Sequence, residues 1–191
     1  MANKKNISVC FTTDQFENYA DGKSTVVVVD LLRATSVIST AFECGVSAII
    51  PVRTLEEAQK YKDVENHIIA AERNTLPIEG FDYGNSPYHY INADVKGKTL
   101  VLTTTNGTNA ILLAKEHKVI TASFVNIEAV TNYLVNDNNN IIILCSGWKG
   151  FFNLEDPIFA GALAEKLLES NQFSSTCDSV QAARQLYSSG K

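Results

Sequence analysis

Val26-Val27-Val28-Val29-Asp30-Leu31-Leu32-Arg33-Ala34-Thr35-Ser36 is the stretch from which the fold is read. Four valines in succession give a strand that is apolar on both faces, the pattern of an interior strand in a parallel sheet. The apolar run stops at Asp30. Val37, Ile38, Ala41 and Phe42 then recur at helical spacing, so a helix begins a few residues beyond the strand. A strand, a short polar turn and a helix form the repeating unit of α/β proteins. A carboxylate at the strand's C-terminal end, with Arg33, Thr35 and Ser36 at the helix start, can hold a metal-bound anion such as phosphate. The same residue types also serve as plain turn and helix caps.

Working outward, the pattern repeats. Ile7 to Phe11 alternates and predicts an edge strand. Short or continuous apolar runs at Ala48–Val52, His67–Ala71, Leu100–Leu102, Val119–Ala122 and Ile141–Leu144 predict further strands. Between them lie helical patterns. A Thr12-Thr13-Asp14 cap precedes a short helix near Phe16 to Ala20. The helix after Ser36 ends at Gly45, a C′ glycine. Thr54-Leu55-Glu56-Glu57 is a capping box opening a helix through about Tyr61. Others follow Asn106-Gly107 and Asn126, and the last helical pattern lies between Gln172 and Lys191. Asp156 as N-cap with Pro157 at N1 predicts a helix to about Glu169. The fold class expected is α/β, three-layer, with a mostly parallel or mixed sheet and helices on both faces. One domain over residues 1–191, with room for two lobes, accommodates it.

Composition excludes several functions. Hydrophobic residues make up 45% of the 191 residues, so the chain folds around a real core. The net charge is −5, with 16 basic and 21 acidic residues and no Lys/Arg run, which argues against nucleic acid as a partner. No run approaches transmembrane length, and Met1-Ala2-Asn3-Lys4-Lys5 does not open a signal peptide. Cys10, Cys44, Cys145 and Cys177 are scattered, so free thiols in a reducing cytoplasm are expected.

Four predicted strands break off into polar groups: Asp30, Glu72-Arg73, Thr103 to Thr108, and Cys145-Ser146-Gly147. Ligands of open α/β sheets bind outside the carboxyl ends of the strands, so these ends are expected to share one cleft. Within Thr103-Thr104-Thr105-Asn106-Gly107-Thr108, hydroxyls and freed backbone N–H groups suit phosphate or sulfonate oxygens. The loop Asn74 to Asn92 holds two of the four prolines, and its Gly84-Asn85-Ser86-Pro87 can add donors. Asp30, Glu72, Asp82, Glu155 and Asp156 are candidate ligands for a hard cation. Mg2+ takes only one or two direct carboxylates. Arg33 and Arg73 are the candidates for bidentate anion binding. Asp156 also reads as a helix cap, Glu72-Arg73 as a salt bridge and Cys145 as an inert thiol. Gly97-Lys98-Thr99 precedes a strand and lacks the rest of a Walker A loop; HExxH, CxxC, GxSxG and GxGxxG do not occur. His67, His89 and His117 share no metal-ligand spacing.

Taken together and in this order, Val28-Val29-Asp30-Leu31-Leu32-Arg33-Ala34-Thr35-Ser36, Glu72-Arg73, Gly80-Phe81-Asp82-x-Gly84-Asn85-Ser86-Pro87, Thr103 to Thr108, Cys145-Ser146-Gly147 and Leu154-Glu155-Asp156 resemble the 2-phosphosulfolactate phosphatase family of coenzyme M biosynthesis. The resemblance runs from about Val26 to Leu168. It implies an α/β fold and a cytoplasmic, Mg2+-dependent hydrolase that removes phosphate from a small sulfonated hydroxy acid. Family members continue beyond the point where this sequence stops, so the family's C-terminal segment is expected to be missing here. In this reading Asp30, Arg33 and Glu155 are catalytic, and Asp30, Glu72 and Asp156 hold the metal. Thr35, Ser36, Arg73, Asn85, Ser86, Thr105, Asn106, Gly107 and Thr108 bind phosphate and the second acid group. The nucleophile is either metal-bound water or Asp30 itself. The partners expected are a small anionic phosphorylated substrate and a second copy of the chain as a homodimer, with no nucleic acid and no membrane. A phospho-ligand isomerase or lyase, or an inactive anion-binding module, is the alternative.

Overall fold

The computed structural model describes residues 4–74 and 76–190. Met1 to Asn3, on which the leader reading rests, Thr75 in the long loop, and Lys191 lie outside the described residues. The strands are β1 (Lys5–Cys10), β2 (Thr25–Val29), β3 (Ala48–Pro51), β4 (His67–Arg73), β5 (Leu76–Pro77), β6 (Thr99–Thr103), β7 (Lys118–Ala122), β8 (Ile141–Cys145) and β9 (Phe173–Ser174). The α-helices are α1 (Ala34–Glu43), α2 (Leu55–Gln59), α3 (Gly107–Leu113), α4 (Ile127–Asn136), α5 (Glu155–Glu169) and α6 (Asp178–Ser189).

The strands divide between two sheets. The first has the order β7-β2-β8-β1-β9 and is parallel throughout. The second has the order β3-β6-β4-β5, parallel except for the short β5. Helices cover both faces of each, as the α/β pattern predicts. On the outer face of the first sheet, Val27, Val29 and Ile143 pack with residues of α4, α5 and α6. Its inner face, through Val26, Val28, Ile142 and Leu144, packs on Ala110 and Ala114 at α3. The second sheet turns Ile68, Ala70, Leu100 and Leu102 toward Val37, Ile38 and Ala41 of α1. Its opposite face meets α2 around Ala58. One layer, α1 with α3, therefore serves both sheets, and Ile111 of α3 packs against both inner cores.

All four valines of β2 are fully buried, as their run predicts. Each contributes on the order of 2 kcal/mol of hydrophobic stabilisation. The capping box at Thr54 forms, with Glu57 N–H donating to Thr54 Oγ1 and Glu57 Oε2 accepting from the Thr54 N–H. Gly45 ends α1 with φ +94°, and the Val46 N–H reaches back to the Ala41 carbonyl.

Three local expectations are corrected. β1 is not an edge strand: β8 and β9 flank it, because a strand pair contributed from beyond residue 140 completes the sheet. The element after Thr12 is a 3-10 helix over Thr13–Asn18. Helix α5 has Leu154 at its N-cap, so Asp156 lies in the first turn and its side chain caps nothing in its own helix. Among the described residues, no helix is long and apolar enough to cross a membrane.

Candidate active site

The order of the elements brings the site together. From β2 in the first sheet the chain crosses along α1 to the second sheet, and from β6 it returns along α3 to β7 in the first. The first turns of these two crossing helices touch. A Cβ placed on Gly107 would lie 2.5 Å from Ala34 Cβ and 2.7 Å from Asp30 Oδ2, so only glycine allows the two loops to meet. The strand ends read from the sequence converge across both sheets. Thr105 donates its hydroxyl to Glu72 Oε1 at 3.3 Å, joining the β6 and β4 ends. The Ser146 N–H donates to the Val29 carbonyl at 2.8 Å, joining β8 to β2.

Asp30 is buried at this junction. Ala34 donates its N–H to Asp30 Oδ1 at 3.3 Å, and the Gly107 N–H faces the same carboxylate. These donors do not offset the loss of water. Burial, with the negative charges of Asp156 and Glu72 added, pushes the Asp30 carboxyl up to about 7. Asp156 is fully buried, and burial above all raises it to about 6, with the Glu155 charge adding to the shift. Among the described residues, no Lys or Arg forms an ion pair with Asp30 or Asp156.

Asp156 acts as a clamp. Its Oδ1 accepts the Leu31 N–H at 2.8 Å and its Oδ2 the Gly147 N–H at 3.2 Å, tying the loops after β2 and β8 to the start of α5. Glu155 is half-buried and takes a hydrogen bond from Asn153 Nδ2 at 3.1 Å.

The hydroxyls are more committed than their sequence suggests. Thr35 donates to the Asp30 carbonyl at 2.9 Å, and Ser36 to the Leu31 carbonyl at 2.9 Å, so both brace the loop that carries Asp30. Thr108 donates to the Thr104 carbonyl at 3.1 Å and takes the Thr104 N–H at 3.0 Å, which shapes the β6–α3 turn from inside. Each hydroxyl has one proton, and these are used within the chain. Arg73 likewise gives its terminal nitrogens to the Glu72 carbonyl (2.7 Å), Thr103 Oγ1 (2.8 Å) and the Arg53 carbonyl (3.3 Å). Arg33 differs: among the described residues its guanidinium makes no hydrogen bond or ion pair.

The loop following β5 lies along β4, where Ala71 N–H donates to the Tyr83 carbonyl at 3.2 Å. Asp82 uses Oδ2 to accept the Ile69 N–H at 2.8 Å, a task on the sheet edge. Asn85 is buried, and its Oδ1 has no hydrogen-bond partner among the described residues. Ser86 is half-buried and precedes the 3-10 turn Pro87–His89 without capping it. Cys145 is enclosed at the end of β8; burial, then the Asp156 charge, drives its thiol far above the usual range and leaves it unreactive. His89 accepts the Gly84 N–H and His117 the Gly22 N–H, both in structural positions.

The candidates drawn from the sequence omit Lys149. Its N–H donates to Asn106 Oδ1 at 3.0 Å and its Nζ to Asn74 Oδ1 at 2.8 Å, bridging the β6 and β4 ends. The available signal was Lys-Gly between Trp148 and Phe151, a turn sequence just past a strand end.

The sequence profile described as 2-phosphosulpholactate phosphatase matches residues 10–191. A probable 2-phosphosulfolactate phosphatase of Thermotoga petrophila is 48% identical over 143 residues, 75% of this chain and 62% of that protein. One from Caldanaerobacter subterraneus subsp. tengcongensis is 45% identical over 154 residues, covering 78% and 64% of the two chains. A third, from Clostridium perfringens, is 38% identical over 191 residues, covering 97% of this chain and 77% of its own. The chain thus spans less than two thirds of the Thermotoga and Caldanaerobacter relatives. With a profile match running from residue 10 to residue 191 and a relative 38% identical over 97% of the chain, the chain belongs to the 2-phosphosulpholactate phosphatase family.

Proposed function

We propose that this chain hydrolyses 2-phosphosulfolactate to sulfolactate and inorganic phosphate with Mg2+ as cofactor, in a cytoplasmic setting that suits its four free cysteines. The observation that carries this reading is the Asp30 carboxylate, buried where two crossing helices begin and without a basic partner among the described residues. A phosphorylated, sulfonated acid brings several negative charges, and a protein of net charge −5 must neutralise them locally.

The donor set fits Mg2+. Among the described residues no three His, Cys, Asp or Glu side chains form a complete cage. Mg2+ asks for less: one or two carboxylates, with water and substrate oxygens completing the octahedron. Asp30 is the main ligand in this proposal and Glu72 the second, while both oxygens of Asp156 are engaged in clamping the loops. When bound, the ion supplies positive charge to the phosphate oxygens. The chain's own groups do the rest. Arg33 pairs with a phosphate oxygen. The turn from Thr105 to Gly107 shapes the wall facing it. Glu155 takes the proton of the attacking water as the P–O ester bond breaks, and the departing alkoxide takes a proton from solvent to leave as the sulfolactate hydroxyl.

Phosphate release from 2-phosphosulfolactate, with Mg2+ titrated and then removed by EDTA, tests the reading. Release that saturates with Mg2+ and falls at least about 100-fold in EDTA is expected. Ligand binding without phosphate release would reject hydrolysis in favour of the isomerase, lyase or binding-module alternatives.

The carboxylates also set a pH dependence. Asp30 and Asp156 hold protons in the folded chain, up to about 7 and about 6, at pH values where the unfolded chain has lost them. Folding therefore takes up protons, and stability falls as pH rises through that window. Metal-free protein is expected to gain roughly 5 °C or more in Tm between pH 8 and pH 5.5. Saturating Mg2+ should shrink this gain by stabilising the ionised form at pH 8. A Tm that is flat or falls over this interval in EDTA would contradict it. Asp21 and Asp137, whose carboxyls are lowered, lose their contributions only at more acidic pH.

A further inference from the structure

We infer that Lys149 is a specificity-determining residue that binds the acid group of the substrate not consumed in hydrolysis, its sulfonate or carboxylate; this rests on the proposed phosphatase reading. Lys149 lies at the tip of a two-residue hairpin between β8 and α5. The Trp148 N–H donates to the Phe151 carbonyl at 2.8 Å, and the Phe151 N–H to the Trp148 carbonyl at 2.9 Å. Lys149 has φ +51° and Gly150 φ +84°, the pattern of a type I′ turn with positive φ at both central residues. Such turns favour Asn-Gly. A lysine at the first position is strained, and strain of this kind is characteristic of functional sites. The turn itself gives no reason for lysine in place of asparagine.

Its placement supplies one. The backbone of Lys149 is fixed by Asn106, which adjoins the Gly107–Asp30 contact, and its ammonium reaches Asn74, two residues from Glu72. The side chain therefore spans the opening between the two sheets. Lys149 is exposed; its ammonium meets the neutral Asn74 amide and lies 5.6 Å from the centroid of the Trp148 ring, and among the described residues no carboxylate pairs with it. An unneutralised ammonium on a pinned turn beside the phosphate position is matched to the second anion of a doubly acidic substrate. Arg73, a cation at the β4 end, already has its terminal nitrogens committed to protein acceptors.

Lys149→Asn separates this role from a structural one, because Asn-Gly is the better turn and should leave Tm equal or higher. Binding of sulfolactate, which carries both acid groups and no phosphate, and of inorganic phosphate is measured by calorimetry, alongside turnover of 2-phosphosulfolactate. In Lys149→Asn the sulfolactate Kd and the 2-phosphosulfolactate KM are expected to rise roughly ten- to a hundredfold, the scale of one charge-assisted hydrogen bond. The phosphate Kd and kcat should stay within about threefold, on the same scale of fold-changes. Lys149→Arg should recover most of the loss. Unchanged sulfolactate binding in Lys149→Asn, or equal weakening of sulfolactate and phosphate, would overturn the assignment. Wild-type protein that binds sulfolactate through Lys149 but releases no phosphate would reject the phosphatase reading and leave this one standing.

Discussion

Asp30→Asn is expected to lower phosphate release by about 10³-fold or more while raising the Tm of the metal-free protein. The two effects have one origin. Asp30 is buried beside Asp156 and Glu72 and, among the described residues, without a basic partner, so its charge opposes folding and is available for a cation. Asparagine removes that charge. It keeps one oxygen for the Ala34 or the Gly107 N–H and leaves the other donor facing its amide, a loss of about 1–3 kcal/mol. The relieved charge penalty, at roughly 1.4 kcal/mol for each pH unit between 3.8 and about 7, is larger. Stability gained with activity lost is the signature of a carboxylate kept for chemistry. Near-normal phosphate release in this variant would remove Asp30 from the reaction.

Gly107→Ala should harm both properties. The added methyl would lie 2.5 Å from Ala34 Cβ and 3.1 Å from Asp30 Cβ, neither of which can rotate away. The start of α3 must then withdraw from the start of α1. Overpacking of this kind costs about 1–3 kcal/mol, which lowers Tm by roughly 3–10 °C in a chain of this size. A displacement near 1 Å at the site costs about 100-fold in rate. Both losses should be partly reversed in the double variant Ala34→Gly/Gly107→Ala, because the nearest clash is removed; a thermal melt and a phosphate assay on the four proteins of the cycle measure it. Independent effects of the two substitutions would show that the loops do not meet there.

Much of this was legible in the sequence, and the remainder has physical reasons. Val26 to Val29 and Ile141 to Ile143 announce interior strands because only a two-sided core tolerates unbroken apolar runs. The strand ends announce a site because α/β sheets bind at that edge. The division into two sheets was not legible. β3 pairs with β6, 51 positions on by the register running from Ala48↔Thr99 to Pro51↔Leu102, and nothing local in either run names its partner. The direction of short side chains was hidden for the same reason. Thr35, Ser36 and Thr108 look like donors to a ligand, yet their nearest acceptors are carbonyls within the turn. Asp156 reads as a cap because of Pro157, but its partner Leu31 is 125 positions away. Lys149 carries no motif; only its positive φ and its reach to Asn74 single it out.

The contact between Gly107 and Asp30 has a bearing on the architecture as a whole. Residues 31–106 leave the first sheet and come back to the same point, so both crossings to the second sheet pass a neck whose two sides are Ala34 and Gly107, beside the helix layer that packs on both sheets. A ligand seated at Asp30 sits on that neck like a clasp. Its arrival would cinch the stalk of a seventy-odd-residue excursion, making cohesion between the two halves of the molecule a function of occupancy.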